Sequence, residues 1–269
     1  MKVSALLLDF DGTLSRVDVL REDAKIPRNV ASALTSIGEQ IPVAIITTKD
    51  LSFIVRRTCF ARAWAGISGL EIRIGQERYV DPKALEKFPL IDDVLQDVID
   101  RVKEISGRIY IEKKKTMDGQ VAAFCLDWRS TPEWSTAQRR LEPLLEYCER
   151  KGLQVVRYPN RPYADIYPIK VDKGTALLKL KNQLWIKGLT MYMGDSEADN
   201  PAFTLADIPI GVLHEETPAT LSCKYFVRFA EVGKFLEELL RNGLFFDQGF
   251  TTVIKQASLG LQWIGSGKM

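Results

Sequence analysis

Histidine is nearly missing from this chain: of 269 residues, only His214 carries an imidazole. One histidine cannot build a His-rich metal site and suits Ser-His-Asp hydrolysis poorly, which leaves carboxylates as the obvious acids, bases and nucleophiles. His214 follows Gly211-Val212-Leu213 and precedes an acidic pair, so its expected place is a surface loop or a packing contact. Cysteine is sparse as well. Cys59, Cys125, Cys148 and Cys223 are far apart and form no CxxC, the pattern of reduced, mostly buried thiols rather than disulfides or zinc ligands. Neither charge sign is in excess, with 37 Lys+Arg against 35 Asp+Glu, so no basic field argues for nucleic acid. No apolar run approaches the ~20 residues of a membrane span. Met1-Lys2 leads straight into an apolar segment, leaving no room for a signal peptide. The expectation is a cytoplasmic protein with a small-molecule partner, no nucleic acid and no membrane; oligomeric state is left open.

What the chain does have is a set of apolar runs that end in oxygen and nitrogen. Ser4-Ala5-Leu6-Leu7-Leu8 stops at Asp9-Phe10-Asp11-Gly12-Thr13-Leu14. Two carboxylates one residue apart beside a core are costly unless a cation or a reaction needs them, although Asp and Gly also end strands as plain turn formers. On extended backbone Asp9 and Asp11 would face one cleft, and Gly12 would let the chain turn away. A second run, Pro42-Val43-Ala44-Ile45-Ile46, ends in Thr47-Thr48-Lys49-Asp50, and a third, Leu189-Thr190-Met191-Tyr192-Met193, in Gly194-Asp195-Ser196-Glu197-Ala198-Asp199-Asn200. Between them Val171-Asp172-Lys173-Gly174-Thr175-Ala176-Leu177 places a lysine at the start of a helix. Strands that end this way fit a parallel sheet with its site at the carboxyl edge.

Residues 3–47 read as strand, helix (29–37) and strand, a βαβ unit that needs a parallel sheet. Residues 51–63 read as helix. Beyond Pro82 the pattern changes. Ile91, Val94, Leu95, Val98, Ile99, Val102 and Ile105 form one helical stripe. Strands at 108–113 and 120–128 follow, then a helix at 133–151 capped by Ser130-Thr131-Pro132 and closed by Gly152, then strands at 153–158 and 164–167. This αββαββ segment lies between the second and third chemical elements, as an inserted lid would. An amphipathic helix near 232–241 precedes a stretch with no clear period, read as a loosely attached tail in which Phe245-Phe246 and Trp263 could mark an oligomer contact. The resulting division is a catalytic core at 1–81 and 169–245, a cap at 82–168 and a tail at 246–269.

Phosphoryl transfer through an aspartyl intermediate suits this inventory. Asp9 would attack phosphorus, and Asp11 would protonate the leaving alkoxide and then deprotonate water. The repulsion among these acids and a phosphate calls for Mg²⁺, held by Asp9, Asp11 and Asp195 with Asp199 as a further or supporting ligand. Thr47 and Lys173 would hold the transferring oxygens. Lys49 is either a site residue or a solvated lysine. Lys113, in Lys113-Lys114-Lys115, is either a substrate contact or a solvated strand end. Glu71 and Asp165 are ambiguous between salt bridges and acceptors for sugar hydroxyls.

Together these four elements resemble the motifs of the haloacid dehalogenase superfamily of phosphatases: Asp9-x-Asp11-Gly12-Thr13-Leu14 the first, Thr47 the second, Lys173 the third and Gly194-Asp195 with Asp199 the fourth. The resemblance implies a Rossmann-like α/β core, a requirement for Mg²⁺ and a C2-type cap that selects substrate. Within the superfamily, 164–177 and 194–203 are most similar to the E-x-R-P…DKGxAL and GDDxTDEDAF segments of the trehalose-6-phosphate phosphatases. That likeness implies hydrolysis of trehalose 6-phosphate. Thr47-Thr48-Lys49 resembles instead the T-S-K of mannosyl-3-phosphoglycerate phosphatases. Sucrose phosphate, a hexose phosphate, a phosphomannomutase-like transfer and a non-catalytic binding module are the other readings weighed.

Overall fold

The computed structural model describes residues 1–17, 19, 21–105, 108–158, 161–214 and 220–251. Its first part runs β1 (Val3–Leu8), α1 (Arg28–Gly38), β2 (Val43–Ile46), α2 (Leu51–Ile54), β3 (Ala63–Gly66), β4 (Glu71–Ile74) and β5 (Glu77–Val80). A middle part follows with α3 (Pro82–Leu85), α4 (Phe88–Val102), β6 (Tyr110–Lys115), β7 (Val121–Asp127), α5 (Trp134–Arg150), β8 (Gln154–Arg157) and β9 (Tyr163–Tyr167). The chain then continues through α6 (Lys173–Gln183), β10 (Leu189–Gly194), α7 (Asn200–Leu205), β11 (Ile208–Leu213), β12 (Tyr225–Arg228) and α8 (Val232–Arg241).

Eight strands form one sheet in the order β12-β11-β10-β1-β2-β3-β4-β5, parallel from β12 to β3 and antiparallel beyond. β1 is central because it is apolar on both faces. Leu6 and Leu8 pack toward α1 and α8, while Ala5 and Leu7 pack toward α6 and α7. The chain leaves β1 to one side for β2 and returns on its other side as β10. That reversal of strand order opens a crevice at the carboxyl edge. It also puts the three oxygen-rich strand ends side by side.

The second sheet, β6-β7-β9-β8, is antiparallel and carries α4 and α5 on one face. Its strands alternate. Phe124, Leu126, Ala164 and Ile166 enter the core with the helices, and the residues between them look the other way. The element order is the expected αββαββ, and the α/β class with a parallel sheet is as read from the sequence.

Three local expectations need correction. The helix expected at 51–63 ends at Ile54 and continues only as a 3-10 turn over Val55–Arg57, because the chain must reach β3. Ser130 and Thr131 do not cap α5: Thr131 Oγ1 instead exchanges two 3.1 Å hydrogen bonds with the backbone of Arg108. Residues 242–246 are tied down rather than loose. Val3 N–H donates to Leu244 O at 2.9 Å, and Phe246 is buried with its ring centroid 4.8 Å from that of Tyr225. Phe245 is half-exposed, and Trp263 lies outside the described residues.

Candidate active site

The parallel register sets Leu8 level with Met193 on one side and Ile45 on the other, so Asp9, Gly194 and Ile46 leave the sheet together. Asp9 N–H donates to Met193 O at 2.9 Å, which fixes the strand end. Gly12 then turns the chain at φ +76°, and a Cβ there would lie 2.1 Å from Asp195 Oδ2. Gly12 is therefore needed twice, for its backbone angle and for the space that Asp195 occupies.

Lys173, first residue of α6, reaches Asp9 Oδ1 at 2.8 Å and Asp199 Oδ1 at 2.7 Å. Its helix starts cleanly, since Asp172 caps it by accepting Thr175 N–H at 2.7 Å. Asp199 is wholly buried and acts as a bracket. Its Oδ1 also accepts Tyr192 OH at 2.5 Å, and its Oδ2 accepts from Asp195 N, Ser196 N and Ser196 Oγ within 3.1 Å.

One oxygen each from Asp9, Asp195 and Asp199 lie within 4.8 Å of one another. Burial pushes Asp9 up to about 7 against the pull of Lys173, with Asp199 pushing it further up. Burial, with the Asp9 and Asp199 charges, likewise raises Asp195 well above the carboxylate range. Lys173 stays protonated because the same two neighbours, Asp199 and Asp9, outweigh its desolvation. Three carboxylates against one ammonium leave two negative charges unbalanced when all are ionised. A hard divalent cation fits both that deficit and the all-oxygen donor set. Asp11 is outside the trio because the turn at Gly12 has already begun. Its Oδ2 stands 3.9 Å from Lys49 Nζ.

A cavity of about 490 Å³ opens over these groups, between the parallel sheet's carboxyl edge and the second sheet. From below it is lined by Asp9, Asp11, Thr48, Lys49, Lys173, Asp195, Ser196 and His214. From above come Glu112, Lys114, Cys125, Asp127, Tyr163 and Asp165, the alternate residues that β6, β7 and β9 turn away from their helices. Arg21, Arg129, Tyr158 and Arg161 add to the rim.

Asp9, Asp11, Lys49, Asp165, Lys173 and Asp195 thus meet around one space, and Asp199 braces it. Thr47 is buried at the end of β2, where its hydroxyl accepts Lys49 N–H at 3.2 Å; Thr48 and Lys49 line the cavity instead. Lys113 does not reach it. Strand alternation exposes Lys113 and turns Lys114 inward, where Lys114 Nζ lies 2.5 Å from Asp165 Oδ1. Glu71 is away from the cavity as well. Fully buried, it accepts Met117 N–H at 3.1 Å and pairs with Arg78 at 3.3 Å, so it holds the β6–β7 turn. His214 was expected in a surface loop or a packing contact; what sequence reasoning missed is that it also lines the cavity. Its Nε2 lies 2.6 Å from Gly12 O, and its ring stacks on Phe229 at 5.1 Å. Only its place just after β11, beside β10 in the same edge, could have signalled this.

The chain is similar to a probable trehalose-phosphate phosphatase D of Arabidopsis thaliana, 26% identical over 259 residues that cover 89% of this chain and 68% of the relative. It is also similar to trehalose 6-phosphate phosphatase RA3 of Zea mays, 26% identical over 264 residues, covering 88% and 70%. Among solved structures, a trehalose-6-phosphate phosphatase related protein superposes with a TM-score of 0.68 at 19% identity, covering 90% of this chain and 99% of the other. The C-terminal domain of trehalose-6-phosphate phosphatase from C. albicans gives 0.68 at 16%, covering 91% and 94%; at these identities the likeness is one of fold. A family model for haloacid dehalogenase-like hydrolases matches residues 93–231, more than half of the chain and inclusive of Lys173, Asp195 and Asp199. The chain belongs to the haloacid dehalogenase-like hydrolases.

Proposed function

We propose that this hydrolase is a Mg²⁺-dependent sugar-phosphate phosphatase, with trehalose 6-phosphate as its substrate and an aspartyl-phosphate intermediate. The observation that carries the reading is Asp9: a buried carboxylate at the end of the central strand, 2.8 Å from a buried lysine and open to a cavity of about 490 Å³. The second sheet with α4 and α5 serves as the cap, and the parallel sheet as the catalytic core. The names of the plant relatives support the disaccharide phosphate as substrate. The four unpaired cysteines suit a cytoplasmic setting.

Asp9 attacks phosphorus, and the bond from phosphorus to the sugar oxygen breaks. Asp11 gives its proton to that oxygen, and the sugar leaves neutral. Water then attacks the phospho-aspartate while Asp11 takes its proton; inorganic phosphate departs and Asp9 is restored. Lys173 supplies positive charge to the transferring oxygens throughout, held in place by Asp199. Thr47 Oγ1, by accepting Lys49 N–H, holds the turn that carries Thr48 and Lys49 to the cavity. Asp9 and Asp195, with Asp199 behind them, would hold Mg²⁺, which when bound supplies the charge that lets a phosphate dianion approach these acids.

Phosphate release from purified protein over trehalose 6-phosphate, mannosyl-3-phosphoglycerate, sucrose phosphate and hexose phosphates decides the matter. Fastest release from trehalose 6-phosphate, lost on chelation, is expected. A preference for mannosyl-3-phosphoglycerate would move the substrate to the reading that Thr47-Thr48-Lys49 favours. No release from any of them at millimolar Mg²⁺ would overturn the phosphatase.

A further inference from the structure

Five side chains of alternating sign run from the core into the cap and back: Asp50, Arg21, Glu112, Lys49 and Asp11. The anchor at one end is rigid. Asp50 caps α2, with Oδ1 accepting Phe53 N–H at 2.9 Å and Ser52 Oγ–H at 2.7 Å, while its Oδ2 pairs with Arg21. The Arg21 guanidinium lies 4.7 Å from the centroid of the Phe53 ring, which fixes its plane. Glu112 then pairs with Arg21, and the same carboxylate takes Lys49 Nζ at 3.4 and 3.5 Å. Lys49 Nζ ends 3.9 Å from Asp11 Oδ2.

Four of these five groups belong to residues 11–50 of the core; Glu112, on β6, is the only one from the four-stranded sheet. Among the described residues Lys49 pairs with two carboxylates, Glu112 and Asp11, so loss of Glu112 would leave Asp11 to draw it in. With Glu112 docked, Lys49 is held between two carboxylates and stands off the acid at 3.9 Å. Arg21 makes the arrangement directional, since it binds Glu112 from a position already fixed by Asp50 and Phe53.

We infer that Glu112 is a positioning residue that ties cap docking to the placement of Lys49 beside Asp11, an inference that rests on the phosphatase reading above. The proton-transferring acid is thereby freed of its lysine only when β6 sits over the site. Loosely docked substrate then meets an Asp11 whose proton transfer is hindered, so turnover is confined to the docked state.

A double-mutant cycle on the full chain tests this. Glu112→Gln keeps the size of the side chain and removes its charge. It is expected to lower kcat about tenfold with KM changed far less, as misplacement near a reacting group does. Lys49→Met takes away the side chain that closes on Asp11, so Glu112→Gln is expected to cost no further activity in that background, because Glu112 acts through Lys49. Glu112→Asp, with the charge but a shorter reach, restores part of the loss. Losses that multiply in the double variant, or a kcat unchanged in Glu112→Gln, would overturn the inference. Hydrogen exchange without substrate gives an arm that does not depend on turnover. Amides of β6 are expected to exchange faster in Glu112→Gln than in the parent, and equal rates would refute the docking role even if the sugar-phosphate reading itself had failed.

Discussion

In the proposed mechanism Asp9 attacks phosphorus as a carboxylate, and Asn in its place keeps the volume while removing that nucleophile. Asp9→Asn should therefore cut turnover by at least about 10³-fold while the circular dichroism spectrum and Tm stay near those of the parent. Retained activity would reassign the nucleophile. Gly12 makes a separate point at the same scale. Gly12→Ala places a methyl where Asp195 Oδ2 sits and forces a β-carbon into the left-handed region, at about 1–2 kcal/mol for the backbone alone. Gly152 also has positive φ but open space around it. Gly152→Ala should thus show the backbone cost in a thermal melt and leave turnover intact, whereas Gly12→Ala should lose both. Equal activity in the two variants would mean that contact with Asp195 does not matter.

At the scale of elements, the strands of the second sheet bury an ion pair, Lys114–Asp165, which Tyr158 and Tyr167 also meet through hydroxyls at 2.9 and 3.2 Å from Asp165 Oδ2. Burial pushes the Asp165 carboxyl up, but Lys114 and the Tyr158 hydroxyl more than reverse this, so it titrates below its ordinary value. A carboxylate with a depressed folded pKa stabilises at pH above its unfolded value, about 3.9, and that contribution disappears as the pH falls through the folded one. Thermal melts should accordingly decline more steeply below pH 4 in the parent than in the Lys114→Met/Asp165→Asn double variant. Lys114→Met alone should cost about 3–5 kcal/mol by stranding a buried charge, and the double variant should recover most of that. A single variant as stable as the parent would show that the pair is solvated.

The same elements mark where sequence reading works. Asp9, Asp195 and Lys173 were legible because each ends or starts a run whose apolar pattern fixes its direction, and β1, β2 and β10 happen to be neighbours. Lys113 was not, because an isolated run of lysines does not reveal which alternate residue faces inward. The β6–β7 pairing, with its register shift between Lys114 and Lys115, decides that. Glu71 was left between a salt bridge and a sugar acceptor; it pairs with Arg78, and what the sequence hid is its second partner, Met117 N–H, 46 residues away. Arg21 and Glu112 meet across 91 residues and carry no local signal.

For the molecule as a whole, the buried carboxylate cluster predicts that a divalent cation stabilises the fold, by about 2.7 kcal/mol at a hundredfold excess over its Kd. Differential scanning calorimetry should show Tm rising with Mg²⁺ in the parent and far less in Asp195→Asn, which loses one charge of the trio. An equal rise in both would place the cation elsewhere. No helix among the described residues is long and apolar enough to cross a membrane.

The alternation along β6, β7 and β9 has one more consequence. Phe124, Leu126, Ala164 and Ile166 hold the second sheet to its helices, while Cys125, Asp127 and Tyr163, one residue away in the same strands, face the cavity. Folding and discrimination are thus recorded on interleaved letters of one text. Drift in the second set can explore new ligands without eroding the first, and a lineage built on this scaffold could change its diet long before it changed its shape.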